Sequence, residues 1–133
     1  MKILVIDDEE TIADPLSSFI RQLGYTVKTL YSCRAALDAL KEDEYDLIIS
    51  DVSMPGFTGL DLVEHIRHSG PNIPVVLISG HAEIVESINA IEDGVYDVFE
   101  KPVDVFRISA LLKDFPKKKA ILPEREEILP ATR

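Results

Sequence analysis

The feature that most restricts how this chain can fold is a regular alternation. Five short apolar runs, at residues 3–6, 25–30, 47–50, 75–79 and 95–99, are separated by stretches whose apolar residues recur every three or four positions. Three of the runs are nearly continuous Ile, Leu and Val, the composition of strands buried on both faces of a parallel sheet. The run at 25–30 alternates and contains Lys28, which suits an edge strand.

The intervening stretches have helical spacing. Ile12, Leu16, Phe19, Ile20 and Leu23 share one face, and Gly24 is placed to end that helix. Ser32 is placed to cap a helix carrying Ala36, Leu37 and Leu40, and Thr58 one carrying Leu60, Val63 and Ile66. Ile84, Val85, Ile88 and Ile91 form another face that ends before Gly94, and Val105, Ile108, Leu111 and Leu112 a last one that stops before Pro116. All of these stripes are read as core packing. Pro15 falls inside the first helical pattern, where it removes a backbone hydrogen bond, so Asp14-Pro15 is expected to delay the start of that helix or to bend it.

Strand followed by helix, five times over, predicts an α/β three-layer sandwich around a five-stranded parallel sheet with right-handed crossovers. The chain has 133 residues, the size of one domain and enough to bury a core without disulfides. The expected domain spans 1–115. Residues 116–133 hold three prolines, Lys117-Lys118-Lys119 and the acids Glu124, Glu126 and Glu127, and are read as a linker or tail.

Charge narrows the partners. With 24 acidic and 14 basic residues the net charge is -10, which opposes binding to nucleic acid or to an anionic membrane by this domain alone. It favours cations and basic surfaces. The single cysteine, Cys33, allows no internal disulfide and suits a reducing compartment. The first apolar run is too short for a signal-peptide core, and no stretch approaches the roughly 18 apolar residues of a membrane span, so the expected location is cytoplasmic.

The polar residues that carry chemistry stand at strand ends. Asp7 and Asp8 follow the first strand, Asp51 follows the third, Ser79 ends the fourth, and Lys101 follows the fifth. In open parallel sheets ligands bind beyond the carboxyl ends of the strands, where strand order reverses. With the order 2-1-3-4-5, the first and third strands are neighbours at that point and the three aspartates meet. Crowded carboxylates must take up protons or be neutralised by a cation, and an all-oxygen ligand set suits Mg²⁺. Each residue alone has a plain structural reading: a capping aspartate, a turn residue, a strand-end serine, a surface lysine. Their joint placement is what points to chemistry.

As a set, Ile3-Leu4-Val5-Ile6-Asp7-Asp8-Glu9, Ser50-Asp51-Val52-Ser53-Met54-Pro55-Gly56, Val75-Val76-Leu77-Ile78-Ser79-Gly80 and Glu100-Lys101-Pro102 resemble the receiver domain of two-component response regulators, over roughly residues 1–115. The resemblance implies a flavodoxin-like fold and a phosphorelay switch. Asp51 would be the phosphoacceptor. Asp8 would bind Mg²⁺ directly and Asp7 through water, with Asp51 and the Ser53 carbonyl completing the metal site. Ser79 and Lys101 would hold the phosphoryl oxygens, and the Lys101-Pro102 bond would be cis. The implied partners are a sensor histidine kinase or a histidine phosphotransfer protein, and a second copy through the face made by the helix over 84–91, the fifth strand and the last helix. Such domains often carry an aromatic residue three positions before the lysine. Here that position is Val98, with Phe99 beside it. In such domains the residues two beyond the acceptor and two beyond the hydroxyl tune phosphoryl lifetime, and the resemblance puts Ser53 and His81 at those positions.

Two rival readings are a metal-dependent aspartyl-phosphate phosphotransferase or phosphatase, and a receiver serving only for dimerisation or interaction. The first normally needs an acid two positions after the nucleophile, where this chain has Ser53, and a substrate cap. The second is opposed by the intact set of Asp7, Asp8, Asp51, Ser79 and Lys101. His65 and His68, about a turn apart, are read as a solvated face, and Cys33 as an inert, partly buried thiol.

Overall fold

The computed structural model describes residues 1–69, 72–81 and 95–121. Its elements run β1 (Lys2–Ile6), α1 (Glu10–Gln22), β2 (Thr26–Leu30), α2 (Cys33–Glu42), β3 (Leu47–Asp51), α3 (Gly59–Ser69), β4 (Val75–Ser79), β5 (Val95–Glu100) and α4 (Val105–Ile121). The expected helix over 84–91 lies outside the described residues. The chain divides into two compact units, Met1–Val103 and Asp104–Arg133.

In the first unit the five strands form one parallel sheet in the order β2-β1-β3-β4-β5. Every residue of β3 and of β4 is buried, which is why these segments read as unbroken apolar runs. β2 is one of the two edge strands, and its alternating exposure matches its alternating sequence. Strand alternation then sorts the core. Leu4, Ile6, Ile48, Val75 and Leu77 meet Ala36 and Ala39 of α2 and Leu62, Val63 and Ile66 of α3. Ala13, Leu16 and Ile20 are the buried apolar residues of α1, which packs against β1 and β2. Each buried Ile, Leu or Val contributes about 1.5–3 kcal/mol.

The helix ends are built locally. Ser32 Oγ accepts the Ala35 N–H at 3.1 Å and caps α2. At α3, Thr58 Oγ1 accepts the Asp61 N–H while Asp61 Oδ2 accepts the Thr58 N–H, a reciprocal cap that fixes where this helix begins. Gly24, at φ 102°, ends α1. Leu23, expected on the apolar face, is the C-cap and lies exposed.

Two expectations are corrected. α1 neither starts late nor takes Asp14 as its cap; it begins at Glu10 and carries Pro15 inside. Pro15 is exposed, so the missing bond falls on the solvent side while Ala13, Leu16, Ser17 and Ile20 stay buried. The last helix does not stop at Pro116 but runs to Ile121. Along α4, Ile108, Leu112 and Phe115 are buried and Phe106 is exposed.

Candidate functional site

The sheet register builds the site. Ile6 pairs with Ser50, so β1 and β3 end side by side and release Asp7 and Asp51 at the same level. Asp51 pairs with Ile78, which puts Ser79 at the next strand tip, and Ser79 pairs with Glu100, just before Lys101. The Lys101 N–H donates to the Ser79 carbonyl at 2.8 Å, tying those two tips together. The Lys101-Pro102 bond is cis.

Lys101 Nζ lies 3.3 Å from Asp7 Oδ2, 3.4 Å from Asp51 Oδ1 and 3.2 Å from Glu9 Oε1. Both aspartates are buried. Asp7 Oδ1 accepts the Glu9 N–H, while Asp7 Oδ2 is buried with no regular hydrogen bond among the described residues and pairs with the Lys101 ammonium at 3.3 Å. The carboxylates of Asp7, Asp8, Glu9 and Asp51 place one oxygen each within 4.8 Å of one another. One ammonium cannot balance four carboxylates.

The electrostatics record that shortage. Burial, followed by the charge of Asp7, pushes the Asp51 carboxyl up to about 6, against the pull of Lys101 and the Ser53 backbone hydrogen bond. Burial also raises Asp7. For Lys101, burial opposes its charge, yet Asp51 and Asp7 outweigh it and raise its pKa. An orphaned buried carboxylate oxygen beside three other acids fits a hard dication with oxygen ligands. The acidic cluster is thus of the Mg²⁺-site type.

Asp7, Asp51 and Lys101 are therefore brought into contact as expected, and Asp8 joins them from an exposed position. Ser53 is exposed, with its backbone on Asp51. Ser79 is fully buried, and its Oγ is engaged with the His81 backbone, accepting the His81 N–H at 3.1 Å. Glu9 is the residue sequence reasoning passed over; the only signal was a third acid following Asp7-Asp8. His65 and His68 lie on α3, away from the strand tips, with His68 against Glu64. Cys33 is fully rather than partly buried, and burial pushes its thiol up to about 11. Val98 joins the core shared with α2 and α3, and Phe99, one residue on, alternates to the opposite face of the sheet, so Phe99 does not take over the vacant aromatic position.

Comparison with known proteins agrees with this arrangement. The response regulator receiver domain family matches residues 3–113. The response regulator protein TmoT of Ectopseudomonas mendocina is 34% identical over 128 residues, covering 96% of this chain and 57% of the relative. Among solved structures, the response regulator TrrA of Thermotoga maritima, in complex with Mg²⁺-BeF, has a TM-score of 0.75 at 25% identity, covering 85% of this chain and 96% of that one. The beryllofluoride-activated NtrC4 receiver domain dimer has a TM-score of 0.76 at 34% identity, covering 84% and 93%. The chain spans no more than 57% of the length of the first curated relatives it matches. Among the described residues, no helix is long and apolar enough to cross a membrane. A flavodoxin-like sheet of order 2-1-3-4-5 carries this acid and lysine cluster at its carboxyl edge, and the chain belongs to the response regulator receiver domain family of two-component signalling.

Proposed function

We propose that Asp51 is the phosphoacceptor of a phosphorelay, taking a phosphoryl group from the phosphohistidine of a sensor histidine kinase or a histidine phosphotransfer protein. The observation that carries this reading is one ammonium, Lys101 Nζ, within 3.4 Å of two buried carboxylates, Asp7 and Asp51. An Asp51 oxygen attacks phosphorus, the phosphorus–nitrogen bond breaks, and its electron pair leaves with the imidazole. Little covalent chemistry is asked of the protein; positioning and neutralisation of oxygen charge do most of the work.

Asp8, Asp51 and the Ser53 carbonyl would hold Mg²⁺, with Asp7 acting through water. Bound there, the ion neutralises the carboxylates and the incoming phosphoryl oxygens. Lys101 then trades its pairing with Asp51 for the phosphoryl group. Ser79 Oγ exchanges its His81 backbone contact for a phosphoryl oxygen, which draws the following loop toward the site and changes the surface offered to partners. The domain is assigned to residues 1–115, a bound that the last helix overruns to Ile121. We place it in the cytoplasm, with a second copy of the chain as a further partner, and with neither nucleic acid nor membrane as its own ligand.

Incubation with Mg²⁺ and a small acyl phosphate tests the reading. The expected result is the mass of one added phosphoryl group, dependent on Mg²⁺ and absent in Asp51→Asn. Uptake without metal, or on another residue, contradicts it, and steady turnover of an external phosphoester would favour the phosphatase alternative. His81 is exposed beside the Ser79 contact, so His81→Ala is expected to change the dephosphorylation rate a few-fold; an unchanged rate removes His81 from the mechanism.

A further inference from the structure

The side of Asp51 turned away from the carboxylate cluster is built as tightly as the cluster itself. The Ser50 hydroxyl, fully buried, donates to the Asp51 carbonyl at 3.0 Å, and Cys33 Sγ lies 3.8 Å behind it. The next residue is held twice: the Val52 N–H donates to the Ile78 carbonyl at 2.9 Å, and the Val52 carbonyl accepts the Gly59 N–H at 3.0 Å. Gly59 is the first residue of α3. A Cβ built there would stand 2.3 Å from the Asp51 carbonyl oxygen, and 3.1 Å from both the Asp51 carbonyl carbon and Val52 Cα. The obstacle is backbone, not the end of a flexible side chain. The start of α3 is also tied to this segment by the Gly59 N–H bond to the Val52 carbonyl. Gly59 is thus required for room rather than for an unusual φ.

We propose that Ser50 and Gly59 are positioning residues that clamp the backbone of Asp51 from behind and so set where its carboxylate stands relative to Asp7, Asp8 and Lys101. The proposal rests on Asp51 being the phosphoacceptor. A carboxylate at a strand tip could swing with its peptide plane; here that plane is gripped by a hydroxyl on one side and a helix start on the other. Misplacing a reacting group by about 1 Å can cost on the order of 100-fold in rate. The clamp therefore acts on reactivity, beyond any effect on stability.

The test compares Ser50→Ala, Gly59→Ala and a stability control, Ile20→Val, a fully buried site on α1. The readouts are thermal melting, Mg²⁺ affinity by calorimetry, and the rate of phosphoryl uptake from acetyl phosphate at saturating Mg²⁺ well below the melting temperature. Ser50→Ala and Gly59→Ala are expected to melt cooperatively yet slow uptake by about tenfold or more, while Ile20→Val melts earlier and reacts at the wild-type rate. Ser50→Thr in a Cys33→Ala background, which restores the hydroxyl and makes space for its methyl, is expected to recover most of the rate. A folded Ser50→Ala that reacts as fast as wild type overturns the clamp, and that variant alone decides if Gly59→Ala fails to fold. Wild-type protein that takes up no phosphoryl group at Asp51 would instead overturn the phosphoacceptor reading beneath it.

Discussion

The two ends of β1 solve the problem of acidic residues in opposite ways. At the amino end, the Lys2 N–H donates to Asp46 Oδ2 at 2.8 Å and the Asp46 N–H returns a bond to the Lys2 carbonyl, also at 2.8 Å. The Lys2 ammonium pairs with Asp43 and lies 5.0 Å from the centre of the Tyr45 ring. At the carboxyl end, Asp7, Glu9 and Asp51 share Lys101, Asp8 joins the same cluster of acids, and Asp7 Oδ2 is left without a hydrogen bond among the described residues. The first end is satisfied and partly wet, so it is a fastening. The second is partly buried, at Asp7 and Asp51, and short of positive charge among the described residues, so it is a receptacle. Acidic residues at a strand tip mark a site when they outnumber the cations that reach them.

That contrast can be broken by mutation. The largest stability effect is expected from Lys101→Met, which leaves two buried carboxylates unbalanced and costs about 2–4 kcal/mol at pH 7 without metal. The loss shrinks below about pH 6, where Asp51 takes up its proton. Lys2→Met, at the exposed end, should cost about 1 kcal/mol or less. Urea melts at pH 5 and pH 7 check both; equal penalties at the two ends would erase the distinction.

Next comes Asp51→Asn. The folded Asp51 carboxyl sits at about 6 against an ordinary 3.8, so the native state holds the extra proton between those values. Stability of the metal-free wild type therefore rises as pH falls from 7 toward 4. Asp51→Asn is expected to be more stable than wild type at pH 7 by about 2 kcal/mol, with the advantage fading toward pH 4. Asp43→Asn should move the other way, by less than about 1 kcal/mol. A destabilised Asp51→Asn at pH 7 would mean that the pocket is balanced after all.

Much of this was readable in the chain, for physical reasons. The inner strands are buried on both faces, so 47–50 and 75–79 could be little else, and the edge position of 25–30 followed from its Lys28. Asp7, Asp51 and Lys101 were found because strand ends fix where side chains converge. Pro15 misled because helical propensity is local: its exposed ring costs one bond, which buried neighbours such as Leu16 and Ile20 offset, and Pro116 misled because the last helix continues past it to Ile121. Glu9 was passed over because an exposed acid looks solvated until the Lys101 position is known. Ser50 and Gly59 left no periodic trace, since their role is a close approach between segments far apart in the chain.

The central claim is that these carboxylates share one pocket which a dication relieves, and melting the protein with and without Mg²⁺ tests it most directly. A ligand that binds only the folded state raises the melting temperature by mass action. Wild-type protein should gain several degrees in millimolar Mg²⁺, Asp46→Asn should gain as much, and Asp7→Asn, Asp8→Asn and Asp51→Asn should gain little or nothing. A wild type indifferent to Mg²⁺, or an Asp7→Asn variant that gains as much as wild type, would contradict the account.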